Sequence, residues 1–504
     1  VQAAPAPGER CDLLVVGGGI NGCGIARDAA GRGLRVLLCE QDDLAAHTSS
    51  ASTKLIHGGL RYLEHYEFLL VRKALQEREV LMAAAPHIIW PMRFVLPHDG
   101  HLRPAWLIRA GLFLYDNLAD RGRLPGSVRV DLRKHPAGAA LDGRFRIGFE
   151  YSDAWVDDAR LVVLNAMDAR ERGATVWTRA RCERLERSHD HWLATLVRRD
   201  GGSLHIRARA VVNATGPWAG AFLRDRTPLR SGHGIRLVKG SHIVVPRLFQ
   251  HAYAYIFQAP DRRVVFAIPY EQEFTLIGTT DVDYAQDAGP AKITDDEVVY
   301  LCKMAGRYFR QRISPGDVVW SFSGLRPLLY DAESDAASAS RDYAVELDAD
   351  GPPLLSILGG KITTYRRVAQ EAVDRLADAL GLTKDAWTSG AALPGGDLPA
   401  QDFAAFFAAC AQRWPWLPAP MLVRMARAYG TRLDRIVCDA GRLEDLGVEI
   451  APGLRERELE YLQRQEWAMQ ADDVLWRRTK LGLHAAAEDT RRVQDWLSAR
   501  ATSG

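Results

Sequence analysis

Leu13 to Val16 is a short unbroken apolar run of strand type, and it is followed at once by Gly17, Gly18, Gly19, Ile20, Asn21, Gly22, Cys23 and Gly24. A helix-like stretch of small residues comes next, through Ala26, Ala29 and Ala30, until Gly31-Arg32-Gly33 stops it. Leu34 to Cys39 reads as a second strand with Glu40 at its end, which completes a βαβ unit. Phe68 to Ala84 places apolar residues at 68, 71, 75 and 82, the spacing of one helical face, with Pro86 just beyond. Asp157 to Arg172 predicts another helix. Strand-like runs follow at Ala174 to Trp177, His191 to Val197 and Ser203 to Asn213, the last two joined by the turn Asp200-Gly201-Gly202.

Further along, Gly240 to Val245, Val264 to Ile268, Phe274 to Gly278 and Tyr343 to Leu347 predict an antiparallel sheet. Leu354 to Leu358, then Gly359-Gly360 and a helix from about Ile362, return to the strand-then-helix order. After Leu393-Pro394-Gly395-Gly396 the pattern is mainly helical. The expected fold is therefore α/β. A Rossmann-like dinucleotide domain spans 10–230 with a β-ribbon insertion and resumes at 351–393. An antiparallel-sheet substrate domain spans 231–350, and a C-terminal helical domain spans 394–504.

Composition narrows the class. With 504 residues, 47% hydrophobic and 25% charged, the chain has the make-up of a folded protein of two to four domains. Lys plus Arg is 65 and Asp plus Glu 63, a formal charge of +2, far from the balance of a dedicated nucleic-acid binder. The seven cysteines form no C-x-x-C pair and are odd in number, so neither a disulfide framework nor a metal site is expected. The first ten residues lack the apolar stretch of a signal peptide, and no window of about 18 uncharged apolar residues occurs.

The bare pattern Gly17-x-Gly19-x-x-Gly22 gains meaning from its place between a strand and a helix, with Glu40 ending the next strand. Its glycines allow a tight turn and let backbone approach a pyrophosphate, while Glu40 can accept hydrogen bonds from a ribose. NAD and FAD both fit this unit. The hydroxyl-rich run holding Ser49, Ser50, Ser52 and Lys54 could hold a ribityl chain and phosphates. Thr215 and Gly216 follow a strand, and Gly360, Lys361 and Thr363 open a helix that could face a flavin ring and stabilise its anionic reduced form.

The segments GGGINGCGIARDAAGRG, SSASTKLIHGGLRYLEHYEF, VNATGPW, IRLVKGSHIVVP, IGTTDV, SGLRPL and GGKITTYR resemble those of the FAD-dependent, respiratory glycerol-3-phosphate dehydrogenases, within the D-amino-acid-oxidase-like flavoproteins. The likeness is ordered and runs over roughly residues 10–490. It implies FAD as cofactor, glycerol 3-phosphate as substrate, dihydroxyacetone phosphate as product and a membrane quinone as electron acceptor. Removing a hydroxyl proton while a hydride leaves carbon requires a base, and a phosphate requires cations. The resemblance points to His242 as that base and to Arg326 and Arg341 as phosphate ligands, with Arg61 and Tyr62 as neighbours. It also sets Lys361 against substrate or the flavin edge.

Rival readings are a glycerol-3-phosphate oxidase passing electrons to oxygen and a nonenzymatic flavin-binding regulator. The joint presence of Arg61, His242, Arg326, Arg341 and Lys361 argues against the regulator. An amino-acid oxidase is disfavoured because several arginines suit a phosphate dianion better than one carboxylate. A lipid-soluble acceptor implies peripheral attachment to an anionic lipid surface at the cytoplasmic face of the plasma membrane, and a homodimer is left open. Residues 101–135 carry seven Lys or Arg against three Asp, with Trp106, Leu107, Leu112, Phe113, Leu114 and Tyr115 among them. The stretch from about Ile362 to Leu380 is a second candidate anchor.

Overall fold

The computed structural model describes residues 9–100, 102–259, 263–331 and 342–501, and its frame is two large sheets. The first has eight strands. Its path runs Tyr343–Asp348, Leu354–Gly359, Ser203–Asn213, Arg10–Val16, Val36–Cys39 and Thr175–Trp177, and all pairs along it are parallel except the first. Parallel strands are buried on both faces, which is why Leu13 to Val16 and Val36 to Cys39 read as unbroken apolar runs. The helix Ile20–Gly31 covers the first strands, and its small residues permit close approach: a Cβ on Gly24 would lie 2.9 Å from the Tyr365 ring. The expected β-ribbon is present as Ala180–Arg187, Trp192–Arg198 and the first half of Ser203–Asn213, with Gly201 at a positive φ in its turn.

The second sheet has ten strands, and its long axis is the ladder between His233–Pro246 and Trp320–Asp331. Phe274–Gly278, Val264–Tyr270 and Ala254–Gln258 continue it on the other side of His233–Pro246. Four further strands come from the chain before residue 160: Ile89–Pro97, Ile147–Val156, Leu55–Ile56 and, paired with Ile147–Val156, Val128–Asp131. Two sequence expectations need correction here. The second sheet is built partly from segments assigned to the dinucleotide domain. Tyr343–Asp348, assigned to the second sheet, pairs instead with Leu354–Gly359 in the first. The cause is local, because the short Gly351 turn closes those two strands into a hairpin before either can reach the other sheet.

The helix at Phe68–Ala84 is as read, and the one expected from Asp157 runs Asp158–Glu171 with the Asp157 carboxylate capping the Arg160 amide. The C-terminal part packs Phe403–Arg413, Ala419–Tyr429, Glu456–Glu466 and Ala487–Ala501 around a core continuous with that of the first sheet.

The two candidate lipid anchors separate clearly. Ala105–Asn117 buries Leu112 and Tyr115 while leaving Trp106 71% and Phe113 63% exposed. The stretch from Ile362 to Leu380 is a short 3-10 turn followed by Tyr365–Arg375 and Ala377–Leu380, and Tyr365, Val368, Ala369, Ala372 and Val373 face the protein's own core. Arg366, near the start of that stretch, is buried and paired with Glu77. That segment is not an anchor.

Candidate functional site

One cavity of about 660 Å³ lies between the carboxyl ends of the first sheet's strands and the face of the second sheet. Its dinucleotide side is the turn after Arg10–Val16. Gly17 sits at φ +114°, where a side chain is strained, and a Cβ there would come 2.5 Å from the Ala214 carbonyl oxygen. Gly19, Asn21, Glu40, Ser49, Ser52, Thr215, Gly216, Gly360, Lys361 and Thr363 all line the cavity. Glu40 accepts the Gly18 amide at 2.6 Å and the Asp42 amide at 2.8 Å; burial pushes its carboxyl upward, and these two donors oppose the shift. Ser49 accepts the Ile20 amide at 3.0 Å, so it closes the helix start from another loop.

Three expected cofactor contacts lie elsewhere. Gly22 is packed inside the turn, where a Cβ would meet the Gly17 carbonyl at 1.9 Å; it permits close helix–strand packing and does not line the cavity. Ser50 donates to the His47 carbonyl and faces a neighbouring cavity. Lys54 is 1% exposed, and its ammonium is held by the Asp158 carboxylate at 2.7 Å and by the Ser50 carbonyl. A buried ammonium without its counter-ion is costly, so Lys54 and Asp158 form a structural pair. Ser52 joins it, donating to the other Asp158 oxygen at 2.7 Å.

The opposite side is the second sheet. Residues two apart share a strand face, so Gly240 and His242, together with Phe322, Gly324 and Arg326 on the paired strand, point the same way. His242 is buried and stacks on Phe322 with ring centroids 4.8 Å apart. Its Nε2 shares a 3.0 Å hydrogen bond with the Thr53 hydroxyl, and its Nδ1 has no partner. Burial, then the Arg326 and Lys54 charges, hold the imidazole well below its ordinary pKa, so it is neutral at physiological pH.

Arg326 reaches the same space. Its Nη2 donates to the Thr279 hydroxyl at 2.8 Å and its Nη1 pairs with Asp281. The Lys361 ammonium lies 3.9 Å from the centroid of the Tyr62 ring, and Arg61 lines the cavity beside it. Gly240 opens the floor, since a Cβ there would lie 2.2 Å from Arg326 Nη2. Arg341 lies outside the described residues.

The cavity also holds groups that the sequence reading left without roles. His57 lines it beside Lys361, and burial first, then Lys361 and Arg78, push its pKa down to about 4. Thr53, Thr279 and Asp281 fix His242 and Arg326. Their signal was present in the segments around His57-Gly58-Gly59 and Thr279-Thr280-Asp281, but a lone side chain in such a run declares no role until its partner is known. Glu40, Asp42 and His47 bring ligand-type atoms within 4.8 Å of one another. Glu40 is already bonded to two amides, and His47 pairs with Asp42 at 2.9 Å, so the trio reads as a stabilised loop.

The arrangement suits a dinucleotide whose reactive ring lies against the second sheet. The glycine turn leaves backbone open to the cavity, and the buried Asn21 Oδ1 in its wall has no partner within the protein. Neutral imidazole and several cations face that space, a set matched to removing a proton from an anionic substrate.

Residues 12–366 match the family described as FAD dependent oxidoreductase, and residues 386–501 match the C-terminal domain of alpha-glycerophosphate oxidase. The chain is 52% identical over 491 residues to a glycerol-3-phosphate dehydrogenase of Pseudomonas aeruginosa, covering 97% of this chain and 95% of the relative. It is 47% identical over 491 residues to the D-erythritol 1-phosphate dehydrogenase of Brucella abortus, covering 97% and 98%. The crystal structure of the glycerol-3-phosphate dehydrogenase from Bacillus halodurans complexed with FAD is similar with a TM-score of 0.75 at 27% identity, over 97% of this chain and 94% of that one.

Proposed function

This chain belongs to the FAD-dependent oxidoreductase family and carries the C-terminal domain of alpha-glycerophosphate oxidase, and from that premise we propose that it oxidises sn-glycerol 3-phosphate to dihydroxyacetone phosphate. The observation that carries the reading is one cavity lined by the glycine turn and Glu40 together with His242, Arg326, Arg61 and Lys361. FAD is the cofactor, and when bound it supplies the acceptor for the hydride. Gly17, Gly19, Glu40, Ser49, Ser52, Thr215, Gly216, Gly360 and Thr363 would hold it.

His242 takes the substrate's hydroxyl proton at Nε2, the nitrogen that faces the cavity-lining Thr53. A neutral imidazole is ready for this task; burial chiefly keeps it neutral, and the Arg326 charge that adds to this effect also binds substrate. Arg326 and Arg61 hold the phosphate, with the sequence-expected Arg341 and Tyr62 as further contacts, because a planar guanidinium offers paired donors to two phosphate oxygens. Lys361, steadied on the Tyr62 ring, stands at the junction of substrate and cofactor.

Electrons then leave to a membrane quinone, with the protein seated on the cytoplasmic face of the membrane. Among the described residues no helix is long and apolar enough to cross a bilayer. Ala105–Asn117 offers Trp106, Phe113 and Leu114 outward, and Tyr66 and Leu69, which follow the turn Leu60–His65 packed against that helix, are also exposed. Basic residues in the surrounding stretch would attract anionic headgroups.

A second reading has a specific warrant, since one close relative is named for a four-carbon polyol phosphate. The test is kcat/KM for glycerol 3-phosphate, D-erythritol 1-phosphate and glycerol, with hydrogen peroxide measured alongside. Preference for glycerol 3-phosphate with little peroxide supports the proposal. Preference for the erythritol ester moves the substrate assignment, and peroxide matching turnover moves the acceptor to oxygen.

A further inference from the structure

The loop that carries Arg61 and Tyr62 is tied to the protein behind the cavity wall by a buried side chain. The Gly58 amide donates to the Tyr115 hydroxyl at 2.9 Å, a buried bond across 57 residues of sequence. That hydroxyl in turn donates to Asp153, 2.8 Å from Oδ1 and 3.0 Å from Oδ2. Asp153 is fixed by Arg78, whose Nη1 is 2.9 Å from Oδ1, and Tyr115, Asp153 and Arg78 are each only 2% exposed. The phenol is therefore used as donor and acceptor together.

Downstream of Gly58 the chain enters the 3-10 turn Leu60–His65, whose Leu60 and Leu63 pack on the core shared with Tyr115, so the Gly58 bond sets where that turn begins. Gly59 lies at φ +78°, and a Cβ there would meet the Tyr62 ring at 2.3 Å, so the turn folds directly under Tyr62. Tyr62 carries Lys361 on its ring face, while Gly59, Leu60, Arg61 and Tyr62 line the cavity and Gly58 does not. Space around Gly58 is also closed, since a Cβ would lie 2.8 Å from both Leu75 and the Tyr115 hydroxyl.

From this geometry we infer that Tyr115 is a positioning residue for the reaction: its hydroxyl, anchored on Asp153, holds the Gly58 amide and thereby places Arg61, Tyr62 and Lys361 against the substrate. The inference rests on the proposed role of Arg61 in binding substrate phosphate. Tyr115 belongs to the helix Ala105–Asn117, whose outer face exposes Trp106 and Phe113, so this bond is also the link between that surface and the substrate loop.

A double-mutant cycle on the FAD-loaded enzyme tests it, with an artificial electron acceptor and glycerol 3-phosphate as the varied substrate. Tyr115→Phe removes one oxygen, leaving the Gly58 amide and Asp153 each short of a partner. The expected result is a KM roughly tenfold higher, with kcat and the flavin spectrum nearly unchanged. In an Arg61→Ala background the same change should raise KM by markedly less than it does alone, because the loop no longer carries its main phosphate ligand. Gly58→Ala, which crowds the same hydrogen bond from the loop side, should give the same KM-selective loss and serves if Tyr115→Phe does not yield holoenzyme. If Arg61→Ala raises KM but Tyr115→Phe multiplies independently with it, or lowers kcat alone, Tyr115 is not a positioning residue. If Arg61→Ala leaves KM unchanged, the substrate reading fails and this inference falls with it.

Discussion

Gly240 is the position where a single methyl group should separate binding from folding. Its ordinary extended backbone needs no glycine, and it is paired in register with Gly324. Yet a Cβ would come 2.2 Å from Arg326 Nη2, 2.7 Å from its Cζ and 2.8 Å from the Thr279 hydroxyl. Ordinary contact begins near 3.4 Å, so the guanidinium must retreat by about 1.2 Å, and an arginine tip can do so cheaply. The retreat breaks the alignment with Thr279 and Asp281 that holds the fork towards the substrate. A hydrogen bond to a charged group contributes about 1.5 to 3 kcal/mol, which corresponds to roughly 10- to 150-fold in affinity. Gly240→Ala should therefore raise KM for glycerol 3-phosphate by about tenfold, and Arg326→Ala by more, with both proteins still yellow and melting within a few degrees of wild type. Steady-state kinetics with an artificial acceptor, flavin absorbance and thermal denaturation read the three quantities. Unchanged KM in both variants would refute the phosphate clamp, and loss of fold in Gly240→Ala would refute the claim that only the arginine tip must move.

Other consequences follow from the same geometry. His242→Ala should bind FAD and substrate yet reduce the flavin about 10² to 10⁴ times more slowly in anaerobic stopped flow; near-normal reduction would transfer the role of base to Lys361 or His57. His87 is fully buried with neither ring nitrogen bonded, and burial, then Arg160 and Arg427, lower its pKa to about 3. Between that value and the unfolded value near 6.5, the unfolded chain binds a proton that the native chain refuses, so stability falls as pH drops through this window, by up to about 1.4 kcal/mol per pH unit. His87→Leu should accordingly lose less melting temperature than wild type between pH 7 and pH 5, and an identical slope would exclude His87 as a contributor. Trp106→Glu with Phe113→Glu should abolish sedimentation with anionic liposomes at low salt while leaving turnover in solution intact; undiminished binding would place the lipid-facing surface elsewhere.

What could be read from the residues alone was what is local. The strand, glycine turn, helix and second strand from Arg10 to Cys39 lie within a few tens of residues, and their periodicities switch where the structure switches. Alternation marks Tyr343–Asp348 as a strand but does not name its partner, which the Gly351 turn decides. Ile147–Val156 is buried at almost every position, so it shows no alternation to mark it as a strand of the second sheet. Lys54 sits among hydroxyls that suggest a phosphate, and only Asp158, 104 positions away, reveals it as half of a buried pair. The anchor expected after Ile362 shows a large apolar face because it packs against the glycine-rich helix Ile20–Gly31, and amphipathicity alone does not distinguish a core from a bilayer.

The most direct measurement is anaerobic addition of glycerol 3-phosphate to the purified yellow protein, followed by visible absorption. A flavin bound at the glycine turn, with His242 and Arg326 facing it, predicts prompt bleaching that saturates with glycerol 3-phosphate, is not produced by glycerol at the same concentration, and reverses on adding a quinone analogue. A flavin that stays oxidised in intact, FAD-loaded protein through saturating glycerol 3-phosphate would contradict the account.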